Sequence, residues 1–188
     1  MKNYKQFNKQ FNKHSKDRVP SMYPVVNNKP CEVRAAGVML FYFQQGQLMM
    51  LLQNKQKKDE EQRGFADFGG KIIEGDDFPA ITVLRELKEK TNGQIEDLDF
   101  GEEVNNSSVY IPDSKYLLIF HKINIEDYDI KKMKQEEITV QTFSIAEFIK
   151  AENLNPRISQ PMKDTQITVK DLIIQKLNAI IKQQDAVE

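Results

Sequence analysis

Four of the chain's eight glycines fall within residues 64–75, and a helical pattern begins almost at once behind them. Such clustering marks a loop whose backbone a side chain would obstruct, because glycine adopts unusual backbone angles freely and lets the chain approach a ligand closely. Residues 79–91 read as the helix. Pro79 suits its first turn, Asp76 or Asp77 is expected to cap its start, and Asn92-Gly93 closes its end. On this helix Glu86 and Glu89 are three residues apart and share a face. Two carboxylates on one face, beside open backbone carbonyls, suit a hard cation. Magnesium takes oxygen ligands, keeps several waters and usually arrives with a substrate phosphate. Metal with phosphate points to hydrolysis or transfer at a phosphorus centre.

The remaining chain alternates strands and helices. Residues 35–43 and 48–53 read as two apolar strands joined by the turn Gln44-Gln45-Gly46-Gln47. Residues 54–63 form a charged loop, and 64–75 are expected to be loop throughout. Residues 108–111 and 116–125 read as a strand pair across Pro112-Asp113-Ser114. A strand at 138–143 leads into a short helix at 144–151, with Ser144 as its cap. Residues 153–161 read as loop. A longer helix at 165–184 carries the apolar stripe Val169, Leu172, Ile173, Leu177, Ile180 and Ile181. This order fits a mixed sheet with helices on both faces, an α/β architecture.

The segment from Asp67 to Gly93 resembles the Nudix box. That pattern runs Gly, five residues, Glu, seven residues, Arg-Glu, an apolar residue, any residue, Glu-Glu, any residue, Gly. Here Gly70 and five residues lead to Asp76, eight residues precede Arg85, and Arg85, Glu86, Leu87 and Glu89 match. Lys90 stands where the second Glu of the pair belongs, and Asn92 where Gly belongs, with Gly93 one residue later. The resemblance covers residues 34–148, and it includes the strand ahead of the box. It implies a Nudix fold, an α/β/α sandwich around a mixed β-sheet, over residues 34–188 with the C-terminal helix included. It also implies hydrolysis of a nucleoside diphosphate linked to another moiety, with Mg²⁺ or Mn²⁺. By the same resemblance Glu86 and Glu89 would bind metal and Arg85 would orient a box carboxylate. The Gly69 carbonyl would face the metal, and a later loop would add an acid, Glu136 or Glu137.

Lys90 bears directly on that chemistry. An ammonium donates three hydrogen bonds and accepts none. On the ligand face it would repel a divalent cation and pair with Glu86, four residues back. A ligand is lost and a competing cation supplied, although a flexible lysine can also swing outward. Two functions therefore stand side by side. One is a Nudix-fold protein with a degenerate metal site, weakly active or non-catalytic, serving as accessory or structural subunit of a larger assembly and needing no metal. The other is an active Mg²⁺-dependent hydrolase. Without the glycine loop, Glu86, Glu89 and Lys90 would read simply as a solvated helix face. Gly69-Gly70-Lys71 is not a Walker phosphate loop, which needs Gly, four residues and Gly-Lys-Ser/Thr. His14 and His121 lack ligand-spaced partners. Phe41, Tyr42 and Phe43 read as strand core, although an aromatic ring there can also stack on a base.

Charge is unevenly spread. Residues 1–34 hold eight Lys or Arg against Asp17 and Glu32, so a basic leader precedes a mildly acidic body in a chain of net charge −1. The body shows no basic face for duplex nucleic acid. Residues 1–33 read as a basic polar arm, with Tyr4, Phe7 and Phe11 at helical spacing and Lys2, Lys5, Lys9, Lys13 and Lys16 on other faces. Three readings fit it: a disordered tail, an arm by which residues 1–30 dock on a protein partner, and a mitochondrial-type leader. Cys31 is the single cysteine, which excludes an internal disulfide and suits a reducing compartment, cytosolic or mitochondrial. No apolar run approaches the roughly 20 residues that cross a bilayer, and the N-terminus lacks the apolar centre of a secretory signal.

Overall fold

Seven consecutive residues, Ala36 to Tyr42, are buried in the strand Ala35–Gln44, the middle of the sheet. A strand apolar on both faces belongs inside a sheet, and the neighbours follow from that. The computed structural model describes residues 20–26, 29–55, 63–101, 103–135, 137–163 and 165–186. In chain order the strands are β1 (Val25–Val26), β2 (Lys29–Pro30), β3 (Ala35–Gln44), β4 (Gln47–Lys55), β5 (Gly64–Ala66), β6 (Phe68–Lys71), β7 (Ser108–Ile111), β8 (Tyr116–Lys122) and β9 (Ile138–Ser144). The helices are α1 (Pro79–Lys90), α2 (Glu103–Asn106), α3 (Ile145–Lys150), α4 (Pro156–Ser159) and α5 (Val169–Asp185), with two short 3₁₀ turns at Ile125–Asp127 and Ile130–Met133.

One edge of β3 is shared. Its first half pairs antiparallel with β6, from Ala35 opposite Lys71 to Val38 opposite Phe68, and its second half pairs with β4, from Leu40 opposite Leu51 to Gln44 opposite Gln47. Its other edge runs parallel to β8, from Ala35 opposite Tyr116 to Phe41 opposite Lys122. The β3–β4 turn places Gln45 at φ 51° and Gly46 at φ 75°, the left-handed pair that matches the twist of a tight hairpin. β9 and β5 extend the sheet beyond β4, and β7 pairs with β8. The sheet is therefore mixed.

Alternation along the strands sends side chains to two cores. Val38, Leu40, Leu51, Phe68, Leu117 and Ile119 meet Val83 and Leu87 of α1 on one face. Met39, Phe41, Met50, Leu118 and Phe120 meet Phe148 of α3 and Val169, Ile173 and Leu177 of α5 on the other. The result is an α/β/α sandwich. Truncating Leu87 or Ile173, each 0% exposed, to alanine would cost about 2–5 kcal/mol. Of the expected α5 stripe, Val169, Ile173 and Leu177 are buried, and Ile180 and Ile181 pack half-buried against the same core. The helix starts later than expected, because Thr168 and Asp171 close a reciprocal cap.

The basic arm expected over residues 1–33 divides. Residues 1–19, with Tyr4, Phe7 and Phe11, lie outside the described residues. From Met22 onward the segment packs: Met22 bridges Val33, β1 pairs with β2, and Val26 and Val33 are buried in the α1-side core. Composition hid this, because a few apolar side chains in a polar stretch suffice when a core is there to receive them.

Candidate metal centre

The glycine segment is mostly strand, not loop. β5 and β6 occupy residues 64–71 except Asp67, and only residues 72–78 form the connection to α1. Pairing with β3 and β4 supplies the ladder bonds that override glycine's weak strand preference. Neither Asp76 nor Asp77 caps the helix. The N-cap is Phe78, which makes no side-chain cap bond. The Asp76 carboxylate instead accepts bonds from the Ile73 amide (3.1 Å), the Thr82 hydroxyl (2.8 Å) and Arg85 Nη2 (3.0 Å). It clamps the loop against the first turns of α1. Burial works against its charge, but the bonds from Arg85, Ile73 and Thr82 together outweigh burial and hold its pKa below the usual value.

Arg85 spans this clamp and the next carboxylate. Its Nη1 donates to Glu86 Oε1 at 2.6 Å, and its Nη2 also donates to the Lys71 carbonyl at 2.9 Å. The second oxygen of Glu86 is taken by Lys90, whose Nζ lies 3.0 Å from Glu86 Oε2 and 3.0 Å from Glu89 Oε1. Spacing predicts the Glu86 pair, and the lysine does not swing outward: its side chain is only 9% exposed, and that of Glu86 8%. Glu89 by contrast is 61% exposed at its side chain. Burial opposes the Lys90 charge, yet the charges of Glu86 and Glu89 and their hydrogen bonds prevail, so its pKa is raised and the ammonium stays protonated.

Gly69 and Gly70, adjacent in β6, answer to different neighbours. A Cβ at Gly70 would fall closer than 3.0 Å to the Glu86 carboxylate carbon and both its oxygens, so Gly70 makes room for that carboxylate. A Cβ at Gly69 or Gly37 would fall within 3.0 Å of the Tyr116 hydroxyl. The space at Gly69 belongs to Tyr116, on the opposite face of the sheet. Tyr116 donates to Asp67, Arg157 pairs with the same carboxylate, and the guanidinium lies 4.3 Å from the centre of the Tyr116 ring. Gln53 Nε2 donates to the Asp67 carbonyl at 2.6 Å. Burial, first among the causes, pushes the Tyr116 hydroxyl's pKa well up, and Arg157 stays cationic beside Asp67. Nothing in the sequence joins these residues: they come from four separated segments.

Glu137 is exposed, and Glu136 lies outside the described residues. The residue of that loop that reaches α1 is Gln135, whose side chain donates to the Glu89 carbonyl and whose amide donates to the Ile138 carbonyl at 2.8 Å. Sequence reading missed Gln135, because an amide bound to backbone has no motif.

No protein-family model and no curated protein sequence matches the chain. Solved structures do. A C. elegans Ap4A hydrolase in a binary complex shares 18% identity at a TM-score of 0.54, over 80% of this chain and 98% of that one. The NUDIX domain of Shewanella oneidensis NrtR, complexed with ADP ribose, shares 17% at a TM-score of 0.52, over 79% and 88%. The longer S. oneidensis NrtR shares 16% at 0.51 over 80% of this chain, which spans 64% of that protein's length.

The fold is the Nudix fold. Within it, the strand β6, the clamp at Asp76 and the helix α1 are the segment whose sequence resembles the Nudix box. As folded, both Glu86 oxygens are engaged by cations, and Glu89 is turned to one of them. Among the described residues no three or more His, Cys, Asp or Glu side chains are grouped as a metal's ligands would be. No described helix is long and apolar enough to cross a membrane.

Proposed function

We propose that this chain is a Nudix-fold module whose cation position is held by its own lysine, and that it serves as a non-catalytic or weakly active accessory subunit of a larger assembly. One observation carries the reading: the Lys90 ammonium sits 3.0 Å from a Glu86 oxygen and 3.0 Å from a Glu89 oxygen, at the depth of Glu86 itself. Electrostatics supports it. Asp76, Glu86 and Glu89 face Arg85 and Lys90, so three carboxylates against two cations leave one net negative charge. A divalent ion needs more than that to be drawn from water, since it gives up hydration reluctantly. It would also have to displace an ammonium in a site of low dielectric, where like charges repel strongly.

The test is titration calorimetry with Mg²⁺ and Mn²⁺ on the full chain and on Lys90→Glu, run beside a hydrolysis screen. Ap4A and ADP ribose, the compounds named with the solved neighbours, head the screen. The wild type is expected to bind either ion weakly and to release little or no product. Lys90→Glu removes a competing cation and adds a ligand, so it is expected to bind at least about tenfold tighter, a factor worth about 1.4 kcal/mol. Glu89→Gln in the same background should abolish the gain, and Glu137→Gln tests whether the loop before β9 supplies a base. Metal-dependent turnover by the wild type as fast as that of Lys90→Glu, and lost in Glu89→Gln, would overturn the reading in favour of an active hydrolase.

A further inference from the structure

The tight turn at Gln45-Gly46 sets the phase of hydrogen bonding across one half of the sheet. A hairpin of this kind closes on a hydrogen-bonded pair, here Gln44 with Gln47. Such pairs alternate along an antiparallel ladder. Met49 and Leu51, opposite Tyr42 and Leu40, therefore turn their backbone groups toward β3. Met50 and Leu52 turn theirs toward β9, where Phe143 and Gln141 stand opposite. It follows that Val140 and Thr142 point their N–H and C=O groups away from β4. Both ends of the strand agree with that phase. The Ser144 amide donates to the Glu147 carboxylate at 2.7 Å, and the Ile138 carbonyl accepts from the Gln135 amide at 2.8 Å. Between those ends, no backbone group of the described residues bonds the outward groups of Val140 and Thr142.

β9 is thus an edge, and it lacks the usual protection of one: from Ile138 to Ser144 it holds neither a charge nor a proline. An open edge of this chemistry takes another extended strand. Its two ends decide which. Opposite Ile138, an added strand would aim an amide at a carbonyl already taken, and a foreign peptide would leave that amide without an acceptor. A second copy of β9, antiparallel about Gln141, sets its own Ser144 there, and that amide is already committed to Glu147. Neither group is then left wanting. Val140 exchanges both its bonds with Thr142 of the second copy, and the symmetry repeats the exchange. Gln141, the exposed residue of the strand, meets its own twin at a Cα separation of about 4.5 Å. A primary amide both donates and accepts, so the two side chains complement each other. We propose that β9 pairs with β9 of a second copy across a two-fold axis at Gln141, joining two sheets into one. Such an interface closes on itself at two chains. This inference does not depend on what Lys90 does.

The experiment is sedimentation equilibrium of the full chain, which is expected to form a dimer. Gln141→Lys and Gln141→Glu each set like charges face to face across the axis, so each should weaken association at least about tenfold. Because Gln141 is exposed, both variants should melt as the wild type does. An equal mixture of the two, one of them isotope-labelled, should restore a dimer that native mass spectrometry finds at the mixed mass. A wild type that stays monomeric, or particles that grow beyond two chains, would overturn the proposal. So would a dimer indifferent to either charge, or a mixture that yields no heterodimer.

Discussion

Lys90 Nζ lies 3.0 Å from Glu86 Oε2, one helical turn back, and both side chains are almost withdrawn from water. The pair is not a surface ion pair of negligible worth, because its partners are desolvated and Glu86 also holds Arg85 at 2.6 Å. A buried carboxylate that loses one of two cations keeps its desolvation cost and half its compensation.

Lys90→Met, which keeps bulk and removes charge, is therefore expected to lower stability by about 2–4 kcal/mol. Urea denaturation measures it. A midpoint equal to wild type would show that the ammonium contributes nothing. The double variant Glu86→Gln/Lys90→Met should lose less than the two single losses added, because partners in contact do not act independently.

Glu86 and Glu89 bond the same ammonium but differ in exposure, at 8% and 61% of the side chain. Glu86→Gln should cost about 2–3 kcal/mol, since it weakens charged hydrogen bonds to Arg85 and Lys90 at once. Glu89→Gln should stay within about 0.5 kcal/mol of wild type. Equal losses at both positions would contradict the geometry.

Asp76 gives the acid limb of stability a specific source. Its folded pKa lies below the ordinary 3.8 despite burial, through Arg85, the Ile73 amide and Thr82. A depressed carboxylate contributes stability that is fully present above its unfolded pKa and is lost as pH falls through the folded one. The loss therefore falls below about pH 4. Asp76→Asn should flatten that part of a melting-temperature profile against pH; an unaltered acid limb would assign it elsewhere.

Phe78 occupies a cap position without a capping side chain. Phe78→Ser is expected to raise stability by about 1 kcal/mol, because the hydroxyl can accept a first-turn amide bond. Calorimetric melting reads the change, and a lowered midpoint would mean that Phe78 is packed in solution rather than exposed.

Val26 is 2% exposed within the α1-side core. Val26→Ala should cost about 1–3 kcal/mol, between the penalties for removing one methylene and those for larger truncations. Its melting temperature, compared with wild type, separates a packed N-terminal segment from a loosely attached one.

Local signals in the sequence carried much of the architecture. The apolar run of β3, the Gly46 turn, α1 with its Asn92-Gly93 end and the Ser144 cap all rest on neighbours a few residues apart. The i, i+4 spacing of Glu86 and Lys90 likewise placed their bond before any coordinates. What stayed hidden depends on distant partners. β5 and β6 become strands only because β3 and β4 lie alongside. The glycine at 69 read as room for a ligand, whereas its space is taken by a hydroxyl 47 residues further on, at Tyr116. Asp76 looked like a cap by position, but the arginine nine residues ahead offered it a stronger bond.

The parallel pairing of β3 with β8 has a consequence in time. Ala35 leaves the ribosome about eighty residues before Tyr116, its partner in register. At roughly 5–20 residues per second, β3 waits some 4–16 s with one apolar edge open. Pairing so far apart in sequence also makes folding slow. Until β8 arrives, the nascent chain displays a sticky template that other chains can extend, so its yield in a cell depends on how that interval is guarded.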